Sequence, residues 1–438
     1  MRITPAMYRA LSVVALPLAS LYLMARSRKQ SAYKKFWNER FAWGDFPLRK
    51  SRPRIWVHAV SLGETNAARP LIESMLQRWP EADVLLTHMT PTGREAGRKL
   101  IQSLGPERIQ QCYLPYDAPY AVAKFFRQAR PTMGVIMETE VWPNLLFEAA
   151  ERGVPMVLAN ARQSERSAEK ARRFLGVMRP AFERFAMVLA QSEEDAQRLR
   201  QLGARETFVT GSVKFDIRPN RSQAAAALSW RAALARPIVS VLSTRRGEEQ
   251  RFARAFVAAR EGLGRALLLI VPRHPERFDE VADGLAALGL KVCRRSRIVG
   301  PGEVPADCDV LLGDSMGEMS FYCALAHMTA MGGSFEPFGS QNVIEPAMAG
   351  SALVVGPSVF NFSKVVADGV AEGAMLQVSD PEQAFERFRE WLEDDAERER
   401  AGAAAKCFAR SHAGATERMM DRMDQLWQKA LRSESQTY

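Results

Sequence analysis

The chain has 438 residues, 47% hydrophobic and 25% charged, which is too much for one core and enough for two or three. Its five cysteines (Cys112, Cys293, Cys308, Cys323, Cys407) form no CxxC pair and no cluster with histidine, which speaks against a disulfide framework and a structural zinc site. The net charge of +10 lies wholly within residues 1–54, and residues 55–438 balance to zero, which speaks against a nucleic-acid groove.

Residues 10–24, "ALSVVALPLASLYLM", are apolar or small apart from one proline. The following "ARSRKQSAYKK" is a poor signal-peptidase site. The run is shorter than the roughly 20 residues of a comfortable span, although snorkelling ends or a thin bilayer accommodate short ones. Basic residues after the run keep the C-terminal bulk in the cytoplasm by the positive-inside rule. "SAYKKFWNERFAW" places Tyr33, Phe36, Trp37, Phe41 and Trp43 on one broad helical face, the pattern of an interfacial helix on an anionic membrane surface. An ordinary surface helix is the other reading. We expect residues 1–46 to form a single anchor helix and a basic-aromatic interfacial segment.

Beyond residue 54, short apolar runs alternate with helical stretches. The strand candidates are 55–60, 84–89, 133–138, 155–160, 187–191, 237–243, 266–271, 309–313, 327–331 and 352–355. Most are continuously apolar, as for parallel strands buried on both faces. Helices are expected over 64–79, 92–104, 144–152, 194–202, 247–262 and 276–288. The repeated β-α units imply doubly wound α/β domains. Strand signals lapse around 215–230, so the boundary is expected there, with domains over 47–218 and 219–438. The charged tail, 380–432, reads as helical with a solvated face, and its last helix is expected to return to the N-terminal domain.

Ligands of open α/β sheets bind beyond the carboxyl ends of strands. Residues just after each strand here are polar and glycine-rich. Ser61-Leu62-Gly63-Glu64 places a carboxylate at the first strand-to-helix turn, where a catalytic base and a helix-dipole partner are equally good readings. Glu138 and Glu140 follow the third strand candidate, as functional acids or as a structural ion pair. "ADCDV" holds Asp307 and Asp309 at the start of a strand, the wrong edge for a ligand site, so it reads as a turn and no metal is expected.

The ordered motifs "HAVSLGET", "TPTG", "YLPYD", "METEVWPNL", "ANARQS", "GSVKFD", "STRRGEE", "VPRHPERF", "GDSMGEM", "GGS" and "NVIEPA" resemble the Kdo (3-deoxy-D-manno-octulosonic acid) transferases of lipopolysaccharide synthesis over roughly residues 30–430. The resemblance implies a GT-B fold of two Rossmann-like domains facing a cleft. It implies an inverting glycosyltransferase with CMP-Kdo as donor and no cofactor. The acceptor would be a lipid A precursor (lipid IVA), and the location the cytoplasmic face of a bacterial inner membrane. It implies Glu64 as general base and Glu138 as a second functional acid. Ser243, Thr244, Arg273, His274, Gly317, Glu318, Met319, Gly333, Ser334, Asn342 and Glu345 would hold the nucleotide, with backbone N–H groups at Gly317 and Gly333-Ser334 facing its phosphate. His274 reads equally well as hydrogen-bonded loop structure. Thr92, Gly93 and Lys214 would meet the acceptor or the Kdo carboxylate. The chain departs from the family where Arg245 replaces a histidine and where Ser340-Gln341 replaces a Gly-His pair. The competing readings are another GT-B enzyme acting on a UDP-sugar, as transferase or epimerase, and a peripheral lipid-binding protein.

Overall fold

All ten apolar runs form strands, and with four more they build two separate seven-stranded sheets. The computed structural model describes residues 3–48 and 51–435. The chain divides into two units: one runs to Asp216 and resumes at Ala413, the other spans Ile217–His412.

The first unit contains β1 (Arg54–His58), β2 (Asp83–His88), β3 (Ile109–Tyr113), β4 (Met133–Met137), β5 (Met156–Ala161), β6 (Phe185–Ala190) and β7 (Thr207–Val209), in the order β3-β2-β1-β4-β5-β6-β7. The second contains β8 (Ile238–Thr244), β9 (Leu267–Pro272), β10 (Val292–Arg294), β11 (Val310–Leu312), β12 (Met328–Met331), β13 (Ala352–Val355) and β14 (Leu376–Gln377), in the order β10-β11-β9-β8-β12-β13-β14. Every pairing is parallel. The winding reverses between β1 and β4 and again between β8 and β12. These are the two topological switch points, where this architecture binds ligands.

The strands missing from the sequence reading are β3, β7, β10 and β14, which are the four sheet edges. An edge strand is covered on fewer sides and needs no continuous apolar run. Thus β3 carries Gln110 and Gln111, and every residue of β10 is only half-buried.

In the first unit the two faces of β1 serve two cores. Trp56 packs edge-on against Phe125 and Phe126, at 5.1 and 5.7 Å between ring centroids. Ile55 and Val57 belong to the opposite core, which includes Trp79, Met419, Met423 and Trp427. The C-terminal helix Ala415–Ser435 therefore completes this unit, and Trp427 stacks on Trp79 at 5.1 Å. Both Asp216 carboxylate oxygens accept N–H groups at its start, from Gly414 (2.6 Å) and Thr416 (2.5 Å). Three of its carboxylates, Glu417, Asp421 and Asp424, are solvent-accessible as expected, but all three also pair with Arg78.

The expected single anchor helix is two helices, Pro5–Val14 and Leu16–Lys29, bent by 47°. Pro17 at the start of the second removes an N–H donor and accounts for the break. Among the described residues no single helix is long and apolar enough to cross a membrane. One side of the pair rests on the first unit: the Tyr8 hydroxyl donates to Asp117 (3.0 Å), and Asn144 Nδ2 donates to Ser12 Oγ (3.0 Å). The other side exposes Val14, Leu18 and Leu21. Residues 33–43 also do not form one helix. Phe36 takes a left-handed conformation (φ 59°) that stops it, so Tyr33 and Phe41 turn inward while Trp43 stays exposed.

Candidate active site

The C-terminal ends of β1 and β4 bring three carboxylates together. Ser61 caps the helix Leu62–Arg78, and Glu64 returns its side chain to accept the Val60 N–H (2.6 Å) and the Ser61 hydroxyl (3.3 Å). This is a capping box displaced by one residue. The helix-cap reading of Glu64 is thus present in the structure, and it also fixes the carboxylate's position. Burial, opposed by the Val60 N–H and the Ser61 hydroxyl and reinforced by the charges of Glu138 and Glu140, raises the Glu64 pKa from 4.5 to about 7. Burial likewise raises Glu140, a residue the sequence paired with Glu138 but gave no role of its own.

Glu138 lies one residue beyond β4 in a left-handed conformation (φ 59°), a strained backbone of the kind that gathers at functional sites. Asn160 at the end of β5 shares that feature (φ 51°). Its amide donates to Glu138 (3.5 Å) and its carbonyl accepts the Val213 N–H (3.2 Å). Through Val213 this link reaches Lys214, which is half-buried. Burial lowers its pKa and the Glu138 charge raises it. The structure therefore groups Glu64, Glu138, Glu140 and Lys214.

Thr92 is exposed at the start of the helix Pro91–Leu104, two residues from the Thr90 cap. Gly93 has a packing reason instead of a ligand-facing one: a Cβ there would lie 2.8 Å from the Val60 carbonyl oxygen.

In the second unit, β8, β9 and β12 converge. Gly332 lets β12 end against β8, since a Cβ there would sit 2.6 Å from the Ser243 carbonyl oxygen. Ser243 is left-handed (φ 59°). Fully buried Glu248 ties these ends together by accepting the N–H groups of Arg245 (2.7 Å), Gly333 (2.7 Å) and Phe335 (3.1 Å). Glu249 accepts the Thr244 hydroxyl (2.8 Å) and holds Arg277 through two bonds, at 2.7 and 3.0 Å.

These contacts give three of the expected nucleotide-binding residues partners within the protein. The Gly333 N–H is already donated, within the protein, to Glu248. Ser334 is fully buried, donating to the Met331 carbonyl and accepting the Gly356 N–H (2.7 Å). The Thr244 hydroxyl is likewise held inside the fold. All three shape the turn.

Around that turn lie the groups that remain accessible. Asn342 Nδ2 donates to Glu345 (2.9 Å), and the Asn342 carbonyl accepts the Ile344 N–H (3.1 Å) at the helix start. Burial raises the Glu345 pKa, while Asn342 and the Arg273 charge lower it. Arg273 is exposed, with its N–H bonded to Thr244 O (3.0 Å). Arg245 lies 2.8 Å from His274 Nε2 and over the Phe338 ring, so the residue that departs from the family pattern adds a cation here. Gly317, Glu318 and Met319 lie beyond β11. The Glu318 carboxylate is held by Arg295 (2.9 Å) and by the Ser315 hydroxyl, and the Gly317 carbonyl accepts from Gln223 (2.9 Å). Asp307 pairs with Lys291 and Asp309 with Arg260, at the opposite end of the strand.

Residues 35–217 match the family described as 3-deoxy-D-manno-octulosonic-acid transferase (kdotransferase), and residues 302–408 match glycosyl transferases group 1. The chain is 42% identical over 415 residues to 3-deoxy-D-manno-octulosonic acid transferase of Bordetella pertussis, covering 93% of this chain and 96% of that protein. It is 31% identical over 421 residues to the protein of the same name from Haemophilus influenzae, covering 94% and 96%. A crystal structure of UDP-GlcNAc 2-epimerase from Neisseria meningitidis bound to UDP-GlcNAc aligns over 84% of this chain and 98% of that one, with a TM-score of 0.57 and 12% identity. That likeness shows a GT-B-type fold, with two parallel-sheet α/β units, and nothing about substrate.

Proposed function

As the chain belongs to the 3-deoxy-D-manno-octulosonic acid (Kdo) transferase family, we propose that it moves Kdo from CMP-Kdo onto a lipid A precursor, lipid IVA, in lipopolysaccharide synthesis. The observation that carries this reading is 42% identity sustained across 93% of the chain. The chemistry divides between the units. In the first, Glu64 takes the proton of an acceptor hydroxyl. The oxygen attacks the anomeric carbon, the bond from that carbon to the phosphate oxygen breaks, and CMP leaves with the bonding electrons. One displacement inverts the anomeric centre. Lys214 faces the Kdo carboxylate, and Glu138 with Asn160 holds Lys214. In the second unit Arg273, with Arg245 and His274 beside it, takes the phosphate, and Glu345, oriented by Asn342, takes the ribose hydroxyls. We assign no metal, because the two aspartates of "ADCDV" are committed to Lys291 and Arg260.

Mass spectrometry of lipid IVA incubated with the purified protein and CMP-Kdo tests this directly. The product should gain one or more Kdo masses, in EDTA as in its absence. A UDP-sugar enzyme would leave the lipid unchanged and would be protected from proteolysis by UDP and not CMP. Within this reading, Glu345→Ala should weaken CMP binding by about 1–3 kcal/mol, the scale of a charge-assisted hydrogen bond. Calorimetry showing unchanged affinity would remove Glu345 from the ribose.

We place the protein at the cytoplasmic face of the inner membrane. This rests on the positive charge of residues 1–54 and on the exposed face of Val14, Leu18 and Leu21. Replacing these three by Glu should cut co-sedimentation with anionic vesicles at least about tenfold, since each large apolar residue contributes about 1.5–3 kcal/mol when buried. Undiminished sedimentation would place the contact elsewhere.

A further inference from the structure

A groove of about 510 Å³ runs between the bent N-terminal helices and the first unit, with Leu11, Ala15 and Ala19 on one wall and Trp142, Phe174 and Met178 on the other. Three of its polar side chains, Tyr8, Ser12 and Asp117, are engaged within the protein. The Asp117 carboxylate accepts the Tyr8 hydroxyl (3.0 Å) and the N–H groups of Asn144 (3.0 Å) and Leu145 (2.9 Å). The Ser12 hydroxyl accepts from Asn144 and donates to the Arg9 carbonyl (2.8 Å). A bound peptide or sugar would bring many polar groups and find these three side chains already taken, at a cost for each group buried without a hydrogen bond. Hydrocarbon brings none.

The groove is also continuous with the carboxylate loop. Val141 and Trp142 line it and directly follow Glu140 in sequence, and Trp142 sits close enough to favour the ionised form of Glu140. A hydrocarbon chain lying there would adjoin the loop that carries Glu138 and Glu140. We propose that this groove holds one acyl chain of the acceptor lipid, with the bent helix pair as its outer wall. The proposal rests on the acceptor reading above and adds where its apolar part binds.

Two measurements test it with the full chain. The first is quenching of tryptophan fluorescence by a dibrominated fatty acid below its micellar concentration, and it involves no glycosyl transfer. Quenching should occur, and Trp142→Phe should remove one component of it. The second is the ratio of kcat/KM for lipid IVA to kcat/KM for the same acceptor stripped of its ester-linked chains. Ala15→Trp and, separately, Ala19→Trp narrow the groove and should lower that ratio about tenfold or more, the discrimination a hydrophobic pocket achieves. Two substitutions are used so that one misfolded variant, seen by circular dichroism, does not decide the matter. Quenching that ignores Trp142, or a ratio unchanged in both folded variants, would overturn the proposal. Quenching by the fatty acid without any Kdo transfer by the wild type would instead overturn the acceptor reading and leave a lipid-binding groove.

Discussion

Glu64→Gln is expected to lower turnover by about 10²–10⁴-fold, the usual contribution of a positioned base, while CMP affinity stays at the wild-type value. Glutamine keeps the size of the side chain and an oxygen able to accept the Val60 N–H (2.6 Å), so the capped turn survives. What disappears is the proton acceptor. CMP affinity is spared because the nucleotide is assigned to the second unit. The same variant carries a stability signature. Glu64 has a folded pKa of about 7 against an ordinary 4.5, so its protonated form favours the fold. That contribution is complete below about pH 4.5 and is lost as pH rises through about 7. Glu64→Gln should therefore match wild type in thermal stability at pH 4 and exceed it at pH 8, by up to about 3 kcal/mol. Near-normal turnover, or a variant destabilised at both pH values, would show Glu64 to be only a helix cap.

Glu248→Ala should destabilise the protein by about 4 kcal/mol or more. It removes a fully buried carboxylate and leaves the N–H groups of Arg245, Gly333 and Phe335 without their acceptor. Each such loss is worth about 1–3 kcal/mol. These three N–H groups belong to the turns that end β8 and β12, so CMP affinity should fall with stability. Glu248→Gln keeps one accepting oxygen and should be intermediate. Urea denaturation gives the first quantity and calorimetry the second. An unaltered denaturation midpoint in Glu248→Ala would mean that the turns hold without this carboxylate.

Much of this arrangement was legible in the sequence, for physical reasons that differ between parts. The ten inner strands are sandwiched on both faces and must be continuously apolar, so they could be read directly. The four edges could not, because a strand such as "VCR" or "TFV" is too short and too little buried to leave a pattern. Polar residues beyond the strand ends marked the carboxyl edge of each sheet, and Glu64, Glu138 and Glu345 all lie there. Glu248 and Glu249 were missed as structural elements because two glutamates in a first helical turn look like partners of the helix dipole. Their complete burial depends on β12 and Arg277, which are distant in sequence. The apolar run of residues 10–24 was visible, as was its proline. The docking of the first helix depends on Tyr8 and Ser12 meeting Asp117 and Asn144, and those contacts leave no local trace.

The most direct test of the assignment of Glu64 is the pH dependence of kcat/KM, measured for wild type and Glu64→Gln with lipid IVA and saturating CMP-Kdo. This ratio reports the pKa of the essential base before the acceptor binds. A base must be ionised to act, so wild-type activity should rise tenfold per pH unit on the acid side, bend near pH 7 and level off above it. Glu64→Gln should retain low activity without that bend. A wild-type profile already flat from pH 5 upward, or a bend near pH 7 that persists in Glu64→Gln, would contradict the assignment and move the base to another residue of the β1–β4 edge.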